Sequence, residues 1–185
     1  RISSPILHAG TSFFCALTAH KLYGRNGALW AGVTFLTLPA VSFSSCIIST
    51  DVPLLFFWSV SLYLLVRNIN GKSLSWSLLL GLALGFGLLS KYAMAYFFIC
   101  VLISCIFFKD YRWVLKTWNG LVSTGTAGLI LIPNIIWNID RQWVTVTHVG
   151  DNVNLKAQLF NFQNLTSFLG EQFGVFGPIL FLTLI

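Results

Sequence analysis

The chain is a succession of long apolar runs separated by short polar breaks. A helix needs roughly 20 apolar residues to cross the ~30 Å hydrocarbon core of a bilayer. On that ruler about seven runs qualify, near residues 3–20, 28–48, 53–67, 74–90, 92–108, 119–138 and 168–185, the third, fourth and fifth being short. The predicted fold is therefore all-α, a polytopic transmembrane helix bundle, with residues 1–185 as part of one membrane domain. The expected connections are 23–27, 49–52, 68–73, a bend at Ser90-Lys91, 109–118, and a long segment, 139–167. Pro39 and Pro133 fall inside runs, and each predicts a kink. Gly81 with Gly85, and Gly120 with Thr124 and Gly128, repeat the small-xxx-small spacing that lets helix backbones approach closely.

Composition strengthens this picture. With 56% hydrophobic residues and only 9% charged, the chain is more apolar than a soluble domain can bury. Its net charge of +6 does not point to nucleic acid, because the basic residues are scattered singly between apolar runs and line no common face. They sort by topology instead. Alternate connections hold Lys21 and Arg25, Arg67 and Lys72, then Lys109, Arg112 and Lys116. By the positive-inside rule that side is cytoplasmic. The opposite side carries Asp51, Asp140, Asp151 and Glu171 with Arg1, Lys91, Arg141 and Lys156. Acidic residues do not set topology, so their gathering marks the external face as the working face. Cys15, Cys46, Cys100 and Cys105 lie within apolar runs, without metal-ligand spacing, and read as small core residues.

Segment 139–167 is the one part of mixed, water-compatible composition, and it is expected to be an ordered external loop. Trp143 to Val149 alternates as a strand would, and Gly150-Asp151-Asn152 reads as a turn.

The polar break Ser49-Thr50-Asp51-Val52-Pro53 carries the sharpest chemistry. A carboxylate at the membrane surface is costly and so is a functional-site hypothesis, although Asp51 also suits a plain helix N-cap, with Pro53 in the first turn. Runs 53–67 and 74–90, joined by a short turn, form an antiparallel hairpin. At ~1.5 Å per residue its arms rise about 24 and 26 Å, which returns Asp51 and Lys91 to nearly one depth. Around them the sequence supplies Arg1, Arg141, His148 and Glu171 on the same side. Cations at a dry surface suit a phosphate, and a carboxylate beside them can position or deprotonate a hydroxyl. Each residue also has a plainer role: Lys91 as a snorkelling anchor, Arg141 as an interface anchor, His148 as an ordinary loop residue. No nucleophile–base–orienter set, zinc-protease motif or Walker loop is present.

Several short elements in order carry a resemblance. Arg1-Ile2-Ser3-Ser4, Leu22-Tyr23-Gly24, Ser49-Thr50-Asp51-Val52-Pro53-Leu54, the stretch from Leu82 to Tyr92 with Ser90-Lys91, and Trp137-Asn138 before Arg-Gln-Trp resemble the bacterial branch of the dolichyl-phosphate-mannose-protein mannosyltransferase family. Gly170-Glu171-Gln172-Phe173-Gly174 with Pro178 is similar to a Gly-Gln-x-Gly...Pro element of that family. Its members are GT-C membrane glycosyltransferases, similar to lipopolysaccharide-core and aminoarabinose transferases.

The resemblance implies transfer of a sugar from a polyprenyl-phosphate donor to a lipid, lipopolysaccharide or protein acceptor, at the external face of a bacterial inner membrane. Asp51 and Lys91 match family elements bordering the donor cavity and are the expected catalytic pair. Arg1, Arg141, His148, Glu171 and Gln172 are expected at the substrate. A divalent metal is compatible with the family, but the sequence offers no ligand set for it. The chain begins at the Arg that follows the family's first external loop, so it is expected to be a fragment, with the main base upstream, or the product of a split gene, inactive alone. A transporter or flippase component is the competing class. It predicts inverted repeats and mid-membrane charges, whereas here the charges sit at the ends of runs.

Overall fold

The computed structural model describes residues 2–69, 73–145 and 162–184. Among these the chain is helical, without a strand: α1 (Ser3–Thr37), α2 (Pro39–Ser45), α3 (Asp51–Arg67), α4 (Leu74–Ser90), α5 (Ala95–Phe107), α6 (Trp113–Lys116), α7 (Trp118–Asp140), α8 (Phe162–Phe176) and α9 (Pro178–Leu184). Two compact units emerge, Arg1–Thr37 with Val41–Leu131, and Leu38–Ala40 with Ile132–Ile185.

In the first unit α1 is two arms meeting at Gly24, whose φ of 78° and ψ of −166° only glycine adopts without strain. The arms fold back on each other: Ser12 Oγ donates to the Gly32 carbonyl at 2.9 Å, and a Cβ on Gly32 would touch Ala16. The first two apolar runs are thus two passes of a hairpin. The second arm bends by 58° at the break before Pro39, where the ring removes a backbone donor. Pro133, by contrast, lies within an unbroken α7.

From α3 onward the chain alternates in direction. Buried Asn68 closes the α3–α4 turn, donating to Ser77 Oγ at 2.9 Å and to the Ser73 carbonyl at 3.2 Å while accepting from the Ser73 amide. After α4 a 3-10 turn, Tyr92–Met94, drives the fully buried Met94 back against Gly87 and starts α5 in the return direction. Arg112 covers the far end of α5, donating to the carbonyls of Cys105 and Ile106. Trp113 belongs to the same buried cluster as Leu64 and Leu65, and Arg67 closes α3 at the end away from Asp51.

Beside an apolar cluster that includes Leu80, Met94, Phe97 and Trp113, much of the interior is small and polar, while the exterior carries many large apolar side chains. Ser4, His8, Thr11, Ser12, Ser59, Ser61, Ser77 and Ser123 are buried, whereas Phe13, Trp30, Leu55, Leu78, Phe86, Ile99 and Leu121 are exposed. Water would penalise that arrangement; lipid favours it, because in a bilayer helices associate through close packing and hydrogen bonds instead of apolar burial. Helix α4 presents Gly81 to Ser123 and Thr126, and Gly85 to Ile130 of α7. The partner face differs from the predicted one. Gly128 has no neighbour at its Cβ position and Gly120 packs on Val114 of its own approach turn, so α7 meets α4 through Ser123, Thr126 and Ile130.

Other expectations also shift. Cys46 and Cys100 are exposed, Cys15 is half-buried and only Cys105 is buried; all four are free thiols. By length and composition one helix, α7, can cross a membrane unaided, and α1 with α2 passes as a bent pair; Leu74–Ser90 and Tyr92–Phe107 are shorter apolar helices.

In the second unit the last apolar run is broken at Gly177, which takes φ 77° between α8 and α9 and precedes Pro178. Glycine after a helix and proline opening the next is the pairing their backbone freedoms favour. Phe173 and Phe181 pack across that break, 5.7 Å between ring centres. Helix α8 begins at Phe162, before the position the apolar pattern indicates. The strand-like alternation is replaced by a turn through Trp143 and helical Val144-Thr145 as far as the description extends; the rest of it and the 150–152 turn lie outside the described residues.

Candidate functional site

Asp51 is the first residue of α3 rather than its cap. Thr50 occupies the cap position without a side-chain cap bond, so the carboxylate is free for other partners. Ser49 Oγ donates to Asp51 Oδ2 at 2.9 Å and accepts the Asp51 amide at 3.1 Å, a two-residue ring that orients the carboxylate. The positive end of α3 adds a field that favours the ionised form.

Lys91 reaches Asp51 from the other arm of the hairpin. It follows the last turn of α4 in an extended conformation, its amide bonded to the Gly87 carbonyl at 3.1 Å and its own carbonyl accepting from Met94 at 3.0 Å. Both backbone groups are thereby fixed, and Lys91 Nζ donates to Asp51 Oδ1 in a salt bridge. The Lys91 ammonium, then the Ser49 hydroxyl, hold the Asp51 carboxyl below the usual carboxylate range against the opposing effect of burial. The side chains remain 44% and 54% exposed for Lys91 and Asp51, respectively. A pair this open contributes about 0–1 kcal/mol. An anionic ligand can therefore take the ammonium from the carboxylate at small cost.

Arg1 and His148 lie outside the described residues. Arg141 belongs to the second unit, where its guanidinium sits 5.6 Å from the Trp137 ring centre. The turn that carries it is tightly built: Gln142 and Trp143 take left-handed φ of 54° and 60°, and the Trp143 amide donates to the carbonyl of buried Asn138 at 2.8 Å. Non-glycine residues rarely hold that conformation, and pairs of them mark constrained, often functional turns. Glu171 and Gln172 are neighbours on α8, Glu171 exposed and Gln172 half-buried. Among the described residues no three His, Cys, Asp or Glu side chains gather as a metal site.

One buried polar residue escapes the apolar pattern. His8 is 2% exposed inside the first run, and its Nε2 lies 2.7 Å from Ser44 Oγ. The signal was the spacing Ser4, His8, Ser12, a polar stripe at four-residue intervals on an otherwise apolar helix.

The chain is 29% identical over its whole length to the lipid A galacturonosyltransferase RgtD of Rhizobium johnstonii, and 39% of that protein is covered. Two lipopolysaccharide core galacturonosyltransferases of the same organism are each 32% identical: RgtB over 68% of this chain and 26% of its own, RgtA over 57% and 21%. The chain thus spans about two-fifths or less of the length of the curated relatives it matches. No solved structure matches it. The family model for dolichyl-phosphate-mannose-protein mannosyltransferase matches residues 1–137, which include both halves of the ion pair, and the chain belongs to that family.

Proposed function

We propose that this chain is part of the membrane domain of an inverting glycosyltransferase. It transfers a sugar from a polyprenyl-phosphate donor to lipid A or the lipopolysaccharide core, at the external face of a bacterial inner membrane crossed by about seven spans. The acceptor class follows the names of the relatives. The supporting observation is the Asp51–Lys91 pair, set at the opposite end of α3 from Arg67.

The chemistry asks for a cation whose value rises during reaction. A polyprenyl-phosphate sugar is a phosphodiester with one negative charge. As the acceptor hydroxyl gives up its proton to a general base, its oxygen bonds to the anomeric carbon and the sugar–phosphate bond breaks, a second charge develops on the departing phosphate. Lys91 is more strongly attracted to that group in the transition state than to the donor, which is the condition for acceleration. Lys91 leaves Asp51 for the phosphate, and the carboxylate, still held by Ser49, accepts a hydrogen bond from the acceptor or sugar hydroxyl and orients it. Arg141, Glu171 and Gln172, with Arg1 and His148, are proposed to contact the substrate.

The test uses the full-length enzyme in membranes, with polyprenyl-phosphate galacturonic acid as the first donor. Asp51→Asn and Lys91→Ala should each reduce transfer at least a hundredfold while leaving the protein inserted and abundant. Near-normal transfer by both variants would return Asp51 to a helix end and Lys91 to a membrane anchor.

A further inference from the structure

A polar seam runs through the first unit where lipid chemistry would accept apolar side chains. Ser4, His8 and Ser12 line one face of the first arm of α1, and each is buried. Ser4 Oγ donates to the Ile47 carbonyl at 2.8 Å, His8 Nε2 pairs with Ser44 Oγ at 2.7 Å, and Ser12 Oγ donates to the Gly32 carbonyl. Serines join helices cheaply in this way. A buried histidine one turn, ~6 Å, deeper than Ser4 is a costlier choice, and intramembrane residues of that kind are kept for function.

The local geometry specifies what His8 does. Ser44 Oγ lies 3.2 Å from the Val41 carbonyl and 2.7 Å from His8 Nε2, so the hydroxyl is held from both sides. Nε2 of His8 and Ser44 Oγ share a hydrogen bond that either neutral ring tautomer can complete, and the ring packs against Phe35 with 6.0 Å between ring centres. Ser44 is the penultimate residue of α2, and the chain then passes through Cys46–Thr50 directly to Asp51. Two bonds from α1, to Ser44 and to Ile47, thus anchor the loop that presents Ser49 to Asp51 Oδ2, while Lys91 takes Oδ1.

We propose that His8 is a positioning residue for the transfer reaction: through Ser44 it fixes the 46–50 loop, and through Ser49 it sets the orientation of Asp51. This rests on the assignment of Asp51 and Lys91 to the reacting site. A leucine at position 8 would pack as well, but it would not give the directional bond that fixes the register of the loop. The groups facing Asp51 are Lys91 from the end of α4 and Ser49 from its own loop; those facing His8 are Ser44 and Phe35. No charged side chain competes with the chain of bonds at His8 among these partners.

The experiment measures kcat and KM against pH in the full-length enzyme for His8→Phe, His8→Gln, Ser44→Ala, Ser49→Ala and the His8→Phe/Ser49→Ala double variant. His8→Phe and Ser44→Ala should each lower kcat on the order of tenfold, with KM for the acceptor little changed. Both should move the acid limb of the profile to higher pH, because Asp51 loses the Ser49 donor. His8→Gln should restore part of both effects. The double variant should shift no further than Ser49→Ala alone, since His8 acts through Ser49. Cys46, exposed in the same loop, reports on the anchoring without any assay of transfer. With the other cysteines replaced, its reaction with an impermeant maleimide should accelerate severalfold in His8→Phe.

A His8→Phe enzyme with unaltered kcat and unaltered Cys46 reactivity overturns the proposal. So does a pH shift that adds in full to that of Ser49→Ala. Loss of transfer in Asp51→Asn with intact His8 variants sinks this inference alone, whereas near-normal transfer in both Asp51→Asn and Lys91→Ala sinks the site itself.

Discussion

A methyl group at Gly81 and one at Gly128 should have opposite effects, although both residues lie mid-helix. Alanine is intrinsically about 1 kcal/mol better than glycine in a helix. At Gly128 nothing lies within 4 Å of the new Cβ, so that gain is realised. At Gly81 the same atom would sit 2.5 Å from the Ser123 carbonyl oxygen and 2.6 Å from Thr126 Cβ. Carbon contacts are optimal at about 3.5–4.0 Å, and a backbone carbonyl cannot rotate aside, so α4 and α7 must separate by roughly 1 Å. Overpacking of that kind costs about 1–3 kcal/mol, which cancels or exceeds the propensity gain. Heating the detergent-purified protein and following loss of the monodisperse species should place Gly81→Ala below Gly128→Ala by roughly 2–12 °C, at about 2–4 °C per kcal/mol. Gly81→Ala at or above Gly128→Ala would refute the α4–α7 packing.

The acid side of the pH profile tests the ion pair. Lys91 holds the Asp51 carboxyl below its ordinary range, so the pair's contribution is complete above the unfolded-state value and lost as pH falls through the lower, folded one. Lys91→Gln should therefore move the acid limb of any residual transfer upward, and an unmoved limb would mean that Asp51 does not govern it. For topology, cysteines introduced at Asn70 and Tyr111 should resist an impermeant thiol reagent in intact cells while one at Asn154 reacts. Labelling of all three from outside would reverse the orientation and the external site with it. Asn68→Leu removes the donor that Ser77 Oγ and the Ser73 carbonyl share, and should lower stability by about 1–3 kcal/mol, read in the same thermal assay; no change would show that the turn holds without it.

Much of the architecture was legible in the local pattern. Apolar runs report helices because a backbone in lipid must satisfy its own hydrogen bonds, and the polar breaks report their ends. The depth of Asp51 and Lys91 followed from counting residues along two arms of one hairpin, and α4 spans Leu74–Ser90 as the pattern indicates. The small residues Gly81 and Gly85 announced a close contact.

What the sequence could not state was the partner of each face. Gly120, Thr124 and Gly128 have the same spacing as a packing face, yet α7 turns Ser123, Thr126 and Ile130 to α4, because helix rotation is set by the neighbour and not by the helix itself. Asp51 had the composition of a cap, but Thr50 takes that place, and the lysine 40 residues away decides what the carboxylate does. His8 was one polar residue in an apolar run until the chain folded back and brought Ser44 against it. Periodicity, length and charge distribution are properties of the chain taken locally, and the sequence alone determined them. Contacts between residues far apart in the chain depend on how the helices turn and cross, and only the tertiary structure decided those.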